Sequence, residues 1–139
     1  MTKAPLAGKQ RLDHALENTA DYLEAIADLI KEHGEARLVD IAQQLGVTKG
    51  TANKKIRHLQ REGHIRSEPY RSIFLCSSGE KIAAESKERH TIVLDFLLAA
   101  GVPAAIAEKD AEGIEHHVSR QTLAVLQRLS KDIGKKRPK

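Results

Sequence analysis

The chain has 139 residues, enough for one compact domain or two very small ones sharing a core. Aromatic residues make up 3% and Trp is absent, so the core must be Leu, Ile, Val and Ala, which favours packed helices over a β-sandwich. The formal charge of +4 permits a polyanionic partner, and the single Cys76 excludes a disulfide framework and any zinc site with more than one sulfur ligand. No apolar run approaches the ~20 residues of a membrane span, and no apolar stretch near the N-terminus could act as a signal peptide. The expectation is a cytoplasmic protein with no membrane partner.

Residues 1–17 mix Lys, Pro, Gly and Arg without a strong apolar period and read as a mobile tail. A helix is expected from Asn18 or Thr19, either of which could cap it, ending before Gly34. Leu23, Ile26 and Ile30 give it a buried stripe, and Asp21 and Glu24 lie near its start, where acids complement the helix dipole. A short helix over Arg37–Leu45 follows, and Gly46-Val47-Thr48 turns the chain, with Thr48 capping a second helix over Lys49–Glu62 that stops at Gly63. Short helix, tight turn and capped basic helix form a helix-turn-helix pattern. Between Thr48 and Arg66 stand six cations, Lys49, Lys54, Lys55, Arg57, Arg61 and Arg66, against one acid, Glu62. That excess, directly after the turn, points to duplex DNA, with Thr48, Lys49, Thr51, Asn53, Lys54, Lys55 and Arg57 as the reading side chains.

His64–Ser67 and Ile73–Cys76 have strand character, separated by Glu68-Pro69-Tyr70-Arg71-Ser72. A hairpin in that position is a wing, with Tyr70 and Arg71 at its tip and Arg71 able to reach a phosphate or the minor groove. Ser77-Ser78-Gly79-Glu80 reads as a capping box, with Ser77 the cap of a long helix to Ala100 that is charged in its first half and apolar in its second. His90 sits where that character changes. Pro103 suits the start of a further helix reaching Val118. Gly113 inside it costs ~1 kcal/mol relative to Ala, so a close approach to the backbone is expected there. Ser119 caps a last helix with Leu123, Leu126, Leu129 and Ile133 spaced for burial, and residues 135–139 form a basic tail.

Within the penultimate helix lies Glu112-Gly113-Ile114-Glu115-His116-His117. On a continuous helix Glu112, Glu115 and His116 share one face. Two carboxylates and an imidazole on one patch would hold a cation; the same residues also make an ordinary solvated polar face.

The winged helix-turn-helix, the long helix and the segments Asp21-Tyr22-Leu23-Glu24, Glu88-Arg89-His90 and Asp110 to His117 together resemble the diphtheria toxin repressor family, over nearly everything from Asp21 to about Leu129. Within that family the chain is most similar to the manganese-transport regulators. The resemblance implies a mainly α fold: a winged helix-turn-helix over 18–77 with a two-stranded β wing, then a helical metal-binding and dimerisation domain over 78–134. It implies a two-metal site with Asp21, Glu24, His90, Glu112, Glu115 and His116 as ligands, Glu112 and Glu115 bridging. Glu115 falls where iron-sensing relatives carry a cysteine, and Asp21 where they carry a methionine. Ser72 departs from the pattern, standing where glycine is expected at the wing.

Four carboxylates and two imidazoles without a thiolate make a hard, oxygen-rich site suited to Mn²⁺, although raw affinity would not exclude Zn²⁺, Co²⁺ or Fe²⁺. The expected protein is therefore a homodimeric Mn²⁺-activated repressor of metal-transport genes, with two ions per subunit and a palindromic operator. The alternatives are a regulator of the same family answering to iron or another divalent metal, and a metal-independent winged-helix regulator. A di-metal enzyme is disfavoured, because paired Glu-x-x-His helices and a His-Glu-x-x-His motif are both absent, and no small-molecule substrate is implied.

Overall fold

The computed structural model describes residues 4–67 and 72–136, with side chains described from Asn18 to Ser67 and from Ser72 to Gly134. In chain order these form helices α1 (Ala4–His33), α2 (Leu38–Leu45) and α3 (Lys49–Arg61), strands β1 (Ile65–Ser67) and β2 (Ile73–Leu75), helices α4 (Ser77–Ala99) and α5 (Ala104–Ile114), a 3₁₀ turn over Glu115–His117, and helix α6 (Arg120–Lys136). The chain divides into two compact units, Met1–Ala84 and Glu85–Lys139, so α4 contributes to both.

The first unit packs α1, α2, α3 and the hairpin around Leu23, Ile26, Ile41, Ala52, Leu59, Ile65 and Ile73. Gly46 takes the left-handed conformation (φ +68°) that ends α2, and Val47 N–H bonds back to Ala42 O at 3.0 Å. Thr48 then caps α3, its Oγ1 accepting from Thr51 N–H at 3.1 Å. Ala52, Ile56 and Leu59 bury one side of α3, which leaves Lys49, Thr51, Lys54 and Arg57 exposed on the other.

The hairpin pairs Ile65 with Leu75, Arg66 with Phe74 and Ser67 with Ile73. Ile65 and Ile73 turn inward while Arg66 and Phe74 face water, the two-residue alternation of a half-covered strand pair. β2 is also pinned to the link between α1 and α2. Ile73 N–H bonds to Ala36 O at 2.8 Å, and Ser72 Oγ donates to Glu35 Oε2 at 2.7 Å. Ser72, out of place in the family pattern, thus has a structural use here. That hydrogen bond first, and the Arg37 guanidinium second, hold the Glu35 carboxyl below its ordinary value of 4.5.

α4 opens against the start of β1. Cys76 N–H donates to His64 O at 2.9 Å, and Ser78 Oγ lies 2.9 Å from His64 Nδ1. Buried Gly79 passes so close to His64 that a Cβ there would collide with the His64 carbonyl oxygen. In the second unit Val93, Ala111 and Leu123 make a smaller core with Ile92, Leu94, Leu97, Val118 and Leu126 packed against it.

Several expectations are corrected. The segment expected as a mobile tail is helical from Ala4, so α1 does not start at Asn18 or Thr19. Pro5 suits a first turn, and extending an existing helix adds one bond per residue fixed, so a potential cap inside the run does not stop it. Ser77 is the first residue of α4 rather than its cap. α5 stops at Ile114 instead of Val118, and α6 continues through Gly134 to Lys136. Gly113 has nothing within 4 Å of a Cβ position, so the close approach expected there occurs at Gly79 instead.

Gly79→Ala is accordingly expected to destabilise the chain by about 1–3 kcal/mol through overpacking, and Gly113→Ala to stabilise it by up to about 1 kcal/mol. Urea unfolding checks both; equal midpoints for the two variants would contradict the assignment. Because the Glu35 carboxyl is depressed when folded, its contribution is present above its unfolded value near 4.5 and lost as pH falls through the folded value. Ser72→Ala should raise the Glu35 carboxyl towards its ordinary value, as read by NMR of the side-chain carboxyl. An unmoved titration would show that the hydroxyl does not set it.

Candidate metal centre and DNA-reading surface

α5 ends one residue before Glu115, and the chain tightens into the 3₁₀ turn that carries Glu115, His116 and His117. The last carbonyls of a helix lack intrahelical partners, and a cation at that end is favoured by the dipole. Arg89 of α4 fills both needs. Its Nε and Nη2 donate to Glu115 O at 3.0 and 2.7 Å, and Nη2 also donates to Val118 O at 2.5 Å. Ser119 then caps α6, its Oγ accepting from Thr122 N–H at 3.1 Å.

With its backbone held this way, the Glu115 side chain points inward and the residue is 3% exposed. Glu115 Oε2 lies 3.5 Å from His90 Nδ1, and Glu115 Oε1 lies 3.7 Å from His116 Nε2. Those separations are long for direct hydrogen bonds. Two donors each about 2.1 Å from one small divalent cation lie roughly 3–4 Å apart, the range found here. His90 Nε2 is 3.2 Å from Glu108 Oε2, so its second ring nitrogen has a carboxylate beside it, as metal-ligating histidines commonly do.

The structure therefore brings together three residues expected at the metal, His90, Glu115 and His116. Glu112 is not with them. It is exposed near the end of α5, whereas Glu115 is buried at the start of the 3₁₀ turn that follows. Asp21 and Glu24 stand half-buried on α1, in the other unit. Among the described residues no group of three or more His, Cys, Asp or Glu side chains is arranged to hold a metal ion. The chemistry of the cluster still fits a divalent cation: a buried carboxylate between two imidazoles, with hard and borderline donors only. Arg89 and Glu108 were not foreseen as parts of this region. Glu88-Arg89-His90 hints at the first, but its partners are backbone carbonyls, which no residue pattern marks.

On the DNA side, Lys49, Thr51, Lys54 and Arg57 project from the open face of α3, and Asn53 is half-buried. Thr48 is exposed, but its hydroxyl is engaged with Thr51. Lys55 differs from its neighbours: Nζ donates to Thr19 Oγ1 of α1 at 2.9 Å, and the side chain is half-buried. Tyr70 and Arg71 lie outside the described residues. Large apolar side chains stay exposed on the single chain at Leu98, Ile106, Ile114, Val125 and Leu129, so the burial expected for Leu129 is not achieved within one subunit. No helix among the described residues is long and apolar enough to cross a membrane.

A winged helix-turn-helix with an open basic face, joined in one chain to a helical unit with a buried carboxylate–imidazole cluster and uncovered apolar helices, is the build of a metal-responsive, dimeric transcriptional regulator. Comparison with known proteins agrees. Residues 14–73 match the family described as "Iron dependent repressor, N-terminal DNA binding domain", and residues 77–136 match "Iron dependent repressor, metal binding and dimerisation domain". The chain belongs to the iron-dependent repressor family. It is 49% identical over 123 residues to "Transcriptional regulator MntR" of Escherichia coli O6:H1, covering 88% of this chain and 79% of that one. It is 53% identical over 110 residues to the protein of the same name from Salmonella typhimurium LT2, covering 79% and 70%. A solved "Manganese-dependent transcriptional repressor complex with manganese" superposes with a TM-score of 0.74 at 25% identity, over 81% of this chain. The chain spans about half of that structure, 52% of its length. These relatives are transcriptional regulators, in keeping with a reader of DNA.

Arg89→Lys keeps the charge but loses the fork that bonds two carbonyls. It is expected to lower stability by about 1–3 kcal/mol and to speed hydrogen exchange at residues 115–119. Exchange there at the wild-type rate would show that Arg89 does not hold the turn.

Proposed function

We propose that this chain is a homodimeric repressor that binds the operators of metal-transport genes when loaded with Mn²⁺, taking up to two ions per subunit. The observation that carries the metal reading is Glu115, buried between His90 and His116 with its backbone fixed by Arg89. The manganese reading is supported by the absence of sulfur from the donor set and by relatives and a structural neighbour named for manganese or its regulator. Asp21, Glu24 and Glu112 complete the proposed ligands, with Glu112 and Glu115 as the bridging carboxylates.

Bound Mn²⁺ would supply the positive charge to draw the four proposed carboxylates together. His90 and His116 would donate neutral ring nitrogens, and Asp21 and Glu24 would commit α1 to the site. In the first unit, α3 enters the major groove with Arg57 and Asn53 at base edges, while Lys49 and Lys54 sit on phosphates. Tyr70 and Arg71 extend the contact through the wing. Two such readers in a symmetric dimer match a palindrome whose half-sites are about one helical turn apart. The exposed apolar residues of α5 and α6, with Leu98, form the proposed dimer surface. Because metal and DNA favour the same state, each tightens binding of the other.

The deciding measurement is operator affinity against free Mn²⁺, with Fe²⁺ and Zn²⁺ at matched free concentrations. Mn²⁺ is expected to raise affinity by about 5- to 150-fold, the usual size of such a coupling. Glu115→Ala should abolish the rise while the far-UV spectrum persists. Arg57→Ala should weaken binding with metal present, by about 1–3 kcal/mol if it reads a base. A rise with Zn²⁺ or Fe²⁺ but none with Mn²⁺ would overturn the manganese assignment.

A further inference from the structure

Lys55 lies on α3 between Lys54 and Arg57, yet it does not share their surroundings. Lys54 and Arg57 are exposed, whereas Lys55 is half-buried with Nζ donating to Thr19 Oγ1 at 2.9 Å. Burial pushes the Lys55 ammonium below its ordinary value, with Glu62 acting in the opposite direction. A lysine whose tip is spent on another helix has little reach left for a phosphate.

Thr19 is one helical turn before Tyr22 and Leu23, which are buried in the core that α1 shares with α3. At roughly 100° per residue, Asp21 and Glu24 fall on the side of α1 away from Thr19. One side of α1 therefore faces the DNA-reading core, and the other carries two proposed metal ligands. The Lys55–Thr19 hydrogen bond is a polar tie between that helix and the reader.

We infer that Lys55 is a positioning residue and not a DNA contact: by holding α3 to α1 at Thr19, it carries part of the coupling between metal binding at Asp21 and Glu24 and DNA reading by α3. The coupling half of this inference rests on the proposed metal response; the positioning half does not. A phosphate contact and a tether leave different marks. Neutralising one phosphate contact lowers the dependence of log affinity on log salt by ~0.9, because one fewer counterion is released. Removing a tether changes affinity with the salt slope intact.

The test uses the full chain and an operator duplex selected by the Mn²⁺-loaded wild type from a random pool, with affinities measured across NaCl concentrations, with and without Mn²⁺. Lys55→Met and Thr19→Val are each expected to lower the Mn²⁺-dependent gain in affinity by about 3- to 10-fold with an unchanged salt slope. The double variant should lose no more than either single one. Thr19→Ser, which keeps the hydroxyl, should match wild type, while Lys54→Met should lower the slope by ~0.9.

A slope lowered by ~0.9 in Lys55→Met, with Thr19→Val unaffected, would make Lys55 a phosphate contact and overturn the inference. Should Lys55→Met fail to fold, the Thr19→Val and Thr19→Ser pair still decides, because identical behaviour of the two would rule the hydroxyl out. If wild type itself gains nothing from Mn²⁺, the proposed function fails, and the salt slope of Lys55→Met still judges the positioning role.

Discussion

Taking a carboxylate out of water costs several kcal/mol unless its surroundings compensate, and Glu115 is 3% exposed. What makes that burial sustainable begins with the backbone. Arg89 binds the carbonyls of Glu115 and Val118, closing the chain into a 3₁₀ turn between α5 and α6. Only with the main chain fixed there does the side chain come between His90 and His116. The end of α5, the start of α6 at the Ser119 cap and the cluster itself all depend on this one guanidinium. A lysine could supply the charge, but not two carbonyl bonds from one planar group.

The first unit shows a comparable division of labour along α3. Ala52, Ile56 and Leu59 join the core, and Lys49, Lys54 and Arg57 face outward. Such a helix is useful as a reader only if its orientation is set by the buried side, since the exposed side must stay free for DNA. The hairpin needs the same discipline, and it is anchored at both ends. Ile73 and Ser72 fasten β2 to Ala36 and Glu35, while Gly79 and Cys76 bring α4 against His64 at the start of β1.

Much of this was legible in the sequence because it rests on short-range chemistry. Gly46 and Thr48 announce a turn and a cap a few residues apart, and the apolar alternation of the hairpin marks which strand faces are covered. Ser119 was legible as a cap for the same reason. Features decided by distant neighbours were not. Gly79 and Gly113 are the same residue inside helices, and only the fold reveals that His64 crowds the first and nothing crowds the second. Lys55 reads as one more cation in a basic helix until Thr19, 36 residues away, is found beside it. The hexapeptide is similar: its spacing places Glu112 and Glu115 near each other on the chain, but only the fold shows that the first is exposed and the second buried.

The different burial of Glu112 and Glu115 bears on metal choice. Mn²⁺ sits at the weak end of the divalent series, so a site that merely gathers donors will prefer Zn²⁺ or Cu²⁺. Selectivity then has to come from where the donors are allowed to go. Two equally exposed carboxylates would have similar freedom to adjust around whichever ion arrives. Here Glu115 is buried with its backbone clamped, whereas Glu112 is exposed on α5. One proposed bridging carboxylate is thus fixed in advance, and the other must be drawn in. A small ion satisfied by four ligands gains less from recruiting Glu112 than one that seeks six oxygen and nitrogen donors. Only ligation that differs between the free and DNA-competent states can shift their balance, so recruitment of the exposed carboxylate is the step at which such discrimination would act.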